Sequence, residues 1–406
     1  MTVSRDPRQP SAVFEICFQP SASRTDSIAR TEPGDKSLGY FHMVRFTDEK
    51  FCLPMQSRRE NRILALLQQI KADFQSKPFV PHRIFKQGDA QTIGAHFWPG
   101  RYLKRDRTED EERFFQVEPK SKVLARMRWQ LNRAEHPTLL VWHGMEGSTT
   151  SGYMLLTAEK AFRAGFNVVR LNFRNCGDTE HLSPTLYHAG LTEDLRVIID
   201  ELIARDGLSN LFLAGFSLGG NQVLKLAGEY GDHPPPEIKG ICAISPPVDL
   251  GAGAVLLIKR RNWIYHRDFL RRLKKRVRRK ERLFPALYDS SALRGVRTTK
   301  EFDDQYVAPA FGFAGADDYY AKASSLPFIS RIRIPTLIIH AEDDPFVPFA
   351  PLRDPSIAAN PYVLLLGTER GGHVAFLSAS PGEERFWAEN CLVEFFHFIV
   401  GAMSTG

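Results

Sequence analysis

Leu211-Phe212-Leu213-Ala214-Gly215-Phe216-Ser217-Leu218-Gly219 runs from a compact apolar strand, Leu211 to Ala214, through a G-x-S-x-G turn into a helical pattern from Leu218 to Tyr230. A strand that reverses into a helix within so few residues forces its central residue into crowded backbone space, and the flanking Gly215 and Gly219 relieve that crowding. The expectation is a nucleophile elbow, with the Ser217 hydroxyl held at the carboxyl edge of a sheet. There the positive end of the following helix favours anionic chemistry. The pentapeptide alone is equally a plain turn; the strand before it and the helix after it carry the catalytic reading.

Working outward, further short apolar runs share the character of the first. Leu139 to Trp142, Asn167 to Leu171 and Ile241 to Ile244 suit strands buried on both faces, and helical patterns lie between them at Tyr153 to Ala164 and Thr192 to Arg205. Such alternation predicts an α/β fold with a mostly parallel, doubly wound sheet. Phe114 to Val117 and Val123 to Trp129 read as an early strand pair with a turn at Pro119-Lys120-Ser121. After Pro247 the alternation stops, then resumes with Thr336 to Ile339, Val363 to Leu366 and a last helix near Phe386 to Val400. The interruption predicts an inserted helical cap at 251–325, with the core formed by 111–250 and 326–406. Residues 1–45 lack apolar periodicity and read as a mobile tail. Residues 46–110 read as a helical and extended segment packing on the core, because Ile63, Leu66, Leu67, Ile70 and Phe74 recur at helical spacing.

An acyl-transfer serine needs donors for the tetrahedral oxyanion, worth on the order of 3 kcal/mol each. His143-Gly144-Met145-Glu146-Gly147 follows the strand Leu139 to Trp142, and its glycines let backbone N–H groups turn toward a site. The predicted donors are the N–H groups of Met145 and Leu218, with His143 and Gly144 as supports. Elbows of this type are followed in chain order by an acid and then a histidine. His373, in Gly371-Gly372-His373-Val374, follows the last predicted strand and is the candidate base. Asp344, just before Pro345-Phe346-Val347-Pro348, is favoured as the acid over Asp343; Asp249 is the alternative, although an Asp after Pro246-Pro247 is more simply a helix cap. His340 ends a strand and suits a core position, while His181 and His188 are less easily dismissed.

The charge pattern narrows the partners. Lys259 to Arg282 holds 13 Lys and Arg against 2 Asp and Glu, a local +11 that exceeds the +7 of the 406-residue chain and leaves the rest mildly acidic. Positive charge confined to one segment, with no groove-reading motif, argues against nucleic-acid binding. Within it Trp263, Leu270, Leu273, Val277 and Phe284 share a helical face, a pattern compatible with lying on an anionic membrane; a solvated cap helix is the competing reading. Five cysteines without C-x-x-C spacing fit a reducing compartment. The first ten residues are polar and no stretch has the length of a membrane span, so a cytoplasmic location is expected. No metal or organic cofactor is expected.

With these motifs in place, the chain resembles the YheT-like branch of the α/β-hydrolase superfamily, which includes bacterial esterases and mammalian abhydrolase-domain lipid hydrolases. The resemblance rests on Asp89 to Ile93, His143 to Ser148, Arg174 to Asp178 continuing to Tyr187 to Gly190 and Glu193 to Leu195, and Gly215 to Gly220. Glu301 to Asp304, Asp318 to Tyr320, Asp343 to Phe346 and Gly372-His373 complete it. It implies the α/β-hydrolase fold and hydrolysis of carboxylic esters, as a carboxylesterase or lipase acting on acyl lipids or short-chain esters, with Ser217, Asp344 and His373 as the triad. Asn175 departs from the pattern, since relatives mostly carry glycine there. Asp194 and His188 belong to the same pattern and read as braces of the loop over the site, with direct substrate contact as the alternative. A thioesterase or acyltransferase would use the same residues, and a non-catalytic ligand-binding protein of this fold is the rival from another class.

Overall fold

Short, predominantly apolar strands are buried on both faces of a sheet, and this decides the centre of the molecule. In the computed structural model, which describes residues 55–98, 110–381 and 385–404, β3 (Thr138–Trp142), β4 (Asn167–Leu171), β5 (Leu211–Phe216) and β7 (Thr336–Ala341) are buried at every position. They join β1 (Glu111–Glu118), β2 (Ser121–Arg128), β6 (Ile238–Ile244) and β8 (Val363–Thr368) in one eight-stranded sheet of order β1-β2-β4-β3-β5-β6-β7-β8. β1, β2 and β4 pair antiparallel and the rest pair parallel. The sheet is therefore mostly parallel and doubly wound. β1, at one edge, is mostly exposed over its first half and alternates buried and exposed residues over its second, since only one of its faces packs on the core.

Successive side chains of a strand point to opposite faces, so each central strand feeds two cores. Leu140 and Trp142 join one apolar cluster with Leu195, Ile198 and Leu224 of α4 (Thr192–Asp206) and α5 (Leu218–Tyr230). Leu139 and Val141 join the other, with α1 (Met55–Ser76), α3 (Gly152–Arg163) and α13 (Trp387–Ser404). α1 runs well beyond the periodic stretch read from sequence. α2 (Gly88–Phe97) is a helix that periodicity did not reveal: it carries few apolar residues and spans only ten positions. The tail at 1–45 lies outside the described residues, as do 46–54 and 99–109 of the following segment.

Between β6 and β7 the chain makes a helical excursion. α6 (Leu250–Leu257) leads into the long α7 (Trp263–Leu283), and then α8 (Thr299–Phe302) and α9 (Ala308–Ala310) flank a π turn at Asp303–Val307. α10 (Ala316–Ala323) and α11 (Leu326–Ile329) return to the sheet, and the one-turn α12 (Pro355–Ala359) lies between β7 and β8. The excursion has an apolar cluster of its own, in which Leu270, Leu273 and Val277 of α7 meet Phe302, Tyr306 and Tyr320. This corrects one expectation. Leu270, Leu273 and Val277 are buried and cannot be a lipid-facing stripe. A helix that carries cations on most of its surface must still cover the core with its one apolar face.

Strand order locates the site. β3 and β5 are neighbours, but the chain runs on from β3 to β4 on one side and from β5 to β6 on the other, and the crevice outside the carboxyl ends of two such strands is where ligands bind in open α/β sheets. The pairing of Trp142 with Gly215 sets the loops after these two strands side by side.

Candidate active site

Ser217 stands directly after β5 with φ 51° and ψ −116°, a conformation that costs a non-glycine residue on the order of 1–3 kcal/mol. Its neighbours must be glycines. A Cβ on Gly215 would come within 2.2 Å of the Gly219 carbonyl, and one on Gly219 would lie 2.7 Å from the carbonyl oxygens of Trp142 and His143. The elbow is held by the Ser217 N–H, which donates to Ile244 O (2.8 Å), and by the Asn221 N–H donating to Ser217 O (3.0 Å).

The loop after β3 closes over the same spot. The Gly144 N–H donates to Tyr153 Oη (2.9 Å), the Glu146 N–H to Tyr187 Oη (3.3 Å) and the Gly147 N–H to Gly144 O (3.0 Å). Among the described residues the Met145 N–H has no such acceptor, and neither has the Leu218 N–H at the start of α5. Met145 and Leu218 both line the cavity that Ser217 faces. His143 is fully buried, and its Nε2 accepts from the Phe173 N–H (3.1 Å), which places the ring proton on Nδ1 for donation to Gly144 O (2.6 Å). Burial pushes its pKa down to about 4, so it stays neutral and braces the loop.

Glu146 sits in the left-handed region at φ 58°. Its carboxylate receives Arg276 from α7 (2.9 Å) and the Tyr187 hydroxyl (3.1 Å), and both members of the ion pair are under a tenth exposed. The excursion thus grips the residue next to Met145. Arg276 also donates to Asn175 O, and Lys280 donates to Asn175 Oδ1 (2.9 Å). Asn175 has φ 65°, which asparagine tolerates better than most residues, and its side chain ties the loop to α7.

His373 lies on the loop after β8. Its N–H donates to Thr92 Oγ1 of α2 (2.9 Å), and the Gly372 N–H donates to Asp343 Oδ1 (2.8 Å). Its Nδ1 is 2.6 Å from Asp344 Oδ2, while Asp344 Oδ1 accepts from the Phe346 and Val347 N–H groups. Burial would raise the Asp344 pKa, but His373, His340 and the Val347 N–H outweigh it and hold the carboxyl below its usual value. With Nδ1 committed to Asp344, Nε2 is the nitrogen left for the cavity. Among the described residues no hydrogen bond joins the Ser217 hydroxyl to His373; the two meet as lining of one cavity.

The other candidates take different positions. Asp249 accepts from the Ala252 N–H (2.9 Å) as the N-cap of α6. His340 is buried, with Nε2 against Val347 O and its pKa lowered by burial. His181 is exposed. Asp194 makes a two-pronged pair with buried Arg174 behind the loop. His188 lines the cavity under the rings of Phe311, Phe313 and Tyr319, and burial pushes its pKa down to about 3. Sequence reasoning assigned no role to Thr92, Tyr153, Glu146, Tyr187 or Arg276. Thr92, Glu146 and Tyr187 had a signal, as parts of motifs quoted for the resemblance, whereas Tyr153 and Arg276 had none.

The cavity holds about 590 Å³ and is walled mainly by apolar side chains. Among the described residues no helix is long and apolar enough to cross a membrane.

A sequence profile of the family described as alpha/beta hydrolase fold matches residues 137–380. The chain is 34% identical to the putative esterase YheT of Escherichia coli over 65% of this chain and 78% of that protein. It is 31% identical to a monoacylglycerol lipase of Saccharomyces cerevisiae over 62% of this chain and 57% of the yeast protein. It is 27% identical to phospholipase ABHD3 of Homo sapiens over 61% of this chain and 60% of the human protein. The chain thus spans less than two thirds of the last two relatives.

Proposed function

Since this chain belongs to the alpha/beta hydrolase fold family, in its YheT-like branch, we propose that it is a serine hydrolase cleaving carboxylic esters through an acyl-enzyme on Ser217. The observation that carries the reading is the His373 Nδ1 contact to a buried Asp344, which leaves Nε2 for the cavity that Ser217 lines. His373 takes the Ser217 proton as the hydroxyl attacks the ester carbonyl, and Asp344 fixes the ring and stabilises its cation. The Met145 and Leu218 N–H groups receive the oxyanion. His373 then protonates the departing alcohol, and water repeats the sequence to free the acid.

The apolar cavity favours acyl lipids or short-chain esters, as do the relatives named lipase and phospholipase. The test is covalent: a fluorophosphonate should label Ser217, and Ser217→Ala should lose labelling and about 10⁶ in kcat on p-nitrophenyl esters. Ester hydrolysis near the original rate in that variant would end the assignment.

The cavity mouth is proposed to sit on an anionic membrane. Ile93, Phe97 and Ile264 line the cavity and are also exposed, Trp263 is exposed beside them, and Tyr265 Oη donates to Asp89 Oδ1 (2.9 Å) to join α7 to α2 at that rim. Arg267, Arg271, Lys275, Arg278 and Arg282 continue from Ile264 as an exposed stripe at helical spacing. Salt-sensitive binding to phosphatidylserine vesicles but not phosphatidylcholine vesicles is expected; equal binding to both would remove the basic stripe from the explanation. A cytoplasmic location is proposed with it, supported by Cys176, Cys242 and Cys391, which are free and buried.

A further inference from the structure

Two motifs behind the family resemblance, Glu301 to Asp304 and Asp318 to Tyr320, have no part in the chemistry above. They meet in one hydrogen bond, from Tyr320 Oη to Asp303 Oδ2 (2.6 Å), and both residues line the cavity. Among the described residues this is the only hydrogen bond the Asp303 carboxyl receives. Burial first, and the neighbouring Asp304 second, push its pKa up to about 7 against the Tyr320 bond. The carboxyl is half-buried, and its remaining acceptor positions open on the cavity.

Thr299 stands four residues earlier, across α8 and the start of the π turn, and lines the same cavity. It is 5% exposed, and its Oγ1 is buried without a hydrogen-bond partner. The unpartnered hydroxyl and the part-used carboxyl stand about one helical turn apart in a wall that also carries Leu250, Leu257 and Leu273. One ligand hydroxyl satisfies both, donating to Asp303 and accepting from the Thr299 hydroxyl. An ammonium can only donate, and leaves the threonine proton without an acceptor.

We infer that Thr299, Asp303 and Tyr320 form a hydroxyl-binding subsite inside the cavity, selecting esters that carry a free hydroxyl on the alcohol or the acyl side. This rests on the ester-hydrolase reading for its substrates, but its test does not need turnover. Calorimetry on the full chain compares non-hydrolysable ethers in matched pairs: 1-O-hexylglycerol against hexyl propyl ether for the alcohol side, and 8-hydroxyoctyl methyl ether against octyl methyl ether for the acyl side.

One hydroxyl-bearing member should bind at least about tenfold tighter than its partner, since a site built to bond a hydroxyl rejects the analogue that lacks it. The pair that shows the preference identifies the side. Thr299→Val and Asp303→Leu should each bring that ratio toward one while leaving the plain ether within about threefold. Thr299→Val keeps the Asp303–Tyr320 bond, so it remains informative if Asp303→Leu fails to fold. A ratio near one for both pairs in the unaltered protein, a ratio untouched by Thr299→Val, or tighter binding of a matching amino ether would overturn the subsite. None of these outcomes bears on fluorophosphonate labelling of Ser217, so the two readings fail separately.

Discussion

Replacing Arg276 by Met tests whether the helical excursion sets the chemistry of the Ser217 loop. The substitution keeps the length of the stem and removes the guanidinium, leaving the Glu146 carboxylate, 7% exposed, with the Tyr187 hydroxyl as its remaining side-chain partner. Breaking a buried pair from one side costs about 3–5 kcal/mol, and the Tyr187 bond and water from the cavity place this case toward the lower end. The loop then relaxes at the residue beside Met145, whose φ of 58° has lost its tether. Loss of one oxyanion donor costs about 10²–10³ in kcat, and a donor displaced but not removed should cost about 30- to 100-fold. The expected result is a fall of that size in kcat on a p-nitrophenyl ester with KM within about threefold, since the donor acts on the transition state. Arg276→Lys should restore part of the rate. Arg276→Met with Glu146→Gln should recover stability, by removing the stranded charge, without recovering kcat. Unfolding midpoints in urea and steady-state kinetics measure the two arms. A variant that is destabilised yet turns over within threefold of the parent would refute the claim that this pair positions Met145.

Other predictions address neighbouring groups. Asp344→Asn should lower kcat by about 10⁴ at neutral pH, because the amide favours the wrong imidazole tautomer; steady-state kinetics with the fold checked by circular dichroism decides it. Asp249→Ala should cost about 1 kcal/mol through the lost cap of α6 and leave kcat within about twofold, whereas a large kcat loss would return Asp249 as the acid. Asp303 gives a pH signature. Its carboxyl is pushed from the ordinary 3.8 up to about 7 in the folded chain, so between those values the folded state holds a proton that the unfolded state has released. Stability from this group is therefore full at acid pH, falls as pH rises toward 7 and is flat above. Asp303→Asn keeps an acceptor for Tyr320 and lacks the slope; urea midpoints of the two proteins should diverge in its favour from pH 5 to pH 7.5, and parallel curves would contradict the shift.

The elbow was legible because everything that makes it is local. The strand, the two glycines and the helix start are contiguous, and the contacts that exclude a Cβ at Gly215 lie within the same few residues. The doubly wound sheet was legible for a related reason: strands buried on both faces leave apolar runs that no surface element shows. α2 was not, since ten residues around a buried Gln91 and an exposed Phe97 carry little apolar period. The inward face of α7 was misread because a helical wheel shows that an apolar stripe exists and not which surface covers it.

Sequence by itself determined the succession of sheet strands along the chain, the strained serine and the candidate acid and base, each announced within its own segment. Tertiary structure alone decided who meets whom. Thr92 holds the backbone of His373 across 281 positions, and Arg276 reaches Glu146 from α7. No periodicity records such contacts, because a hydrogen bond or ion pair depends on where the sheet order and the excursion bring two distant segments. The same limit applies at Ser217: its backbone geometry is a local property, whereas the cavity it faces, with Asp303 and Thr299 in the wall, exists only once the chain has folded.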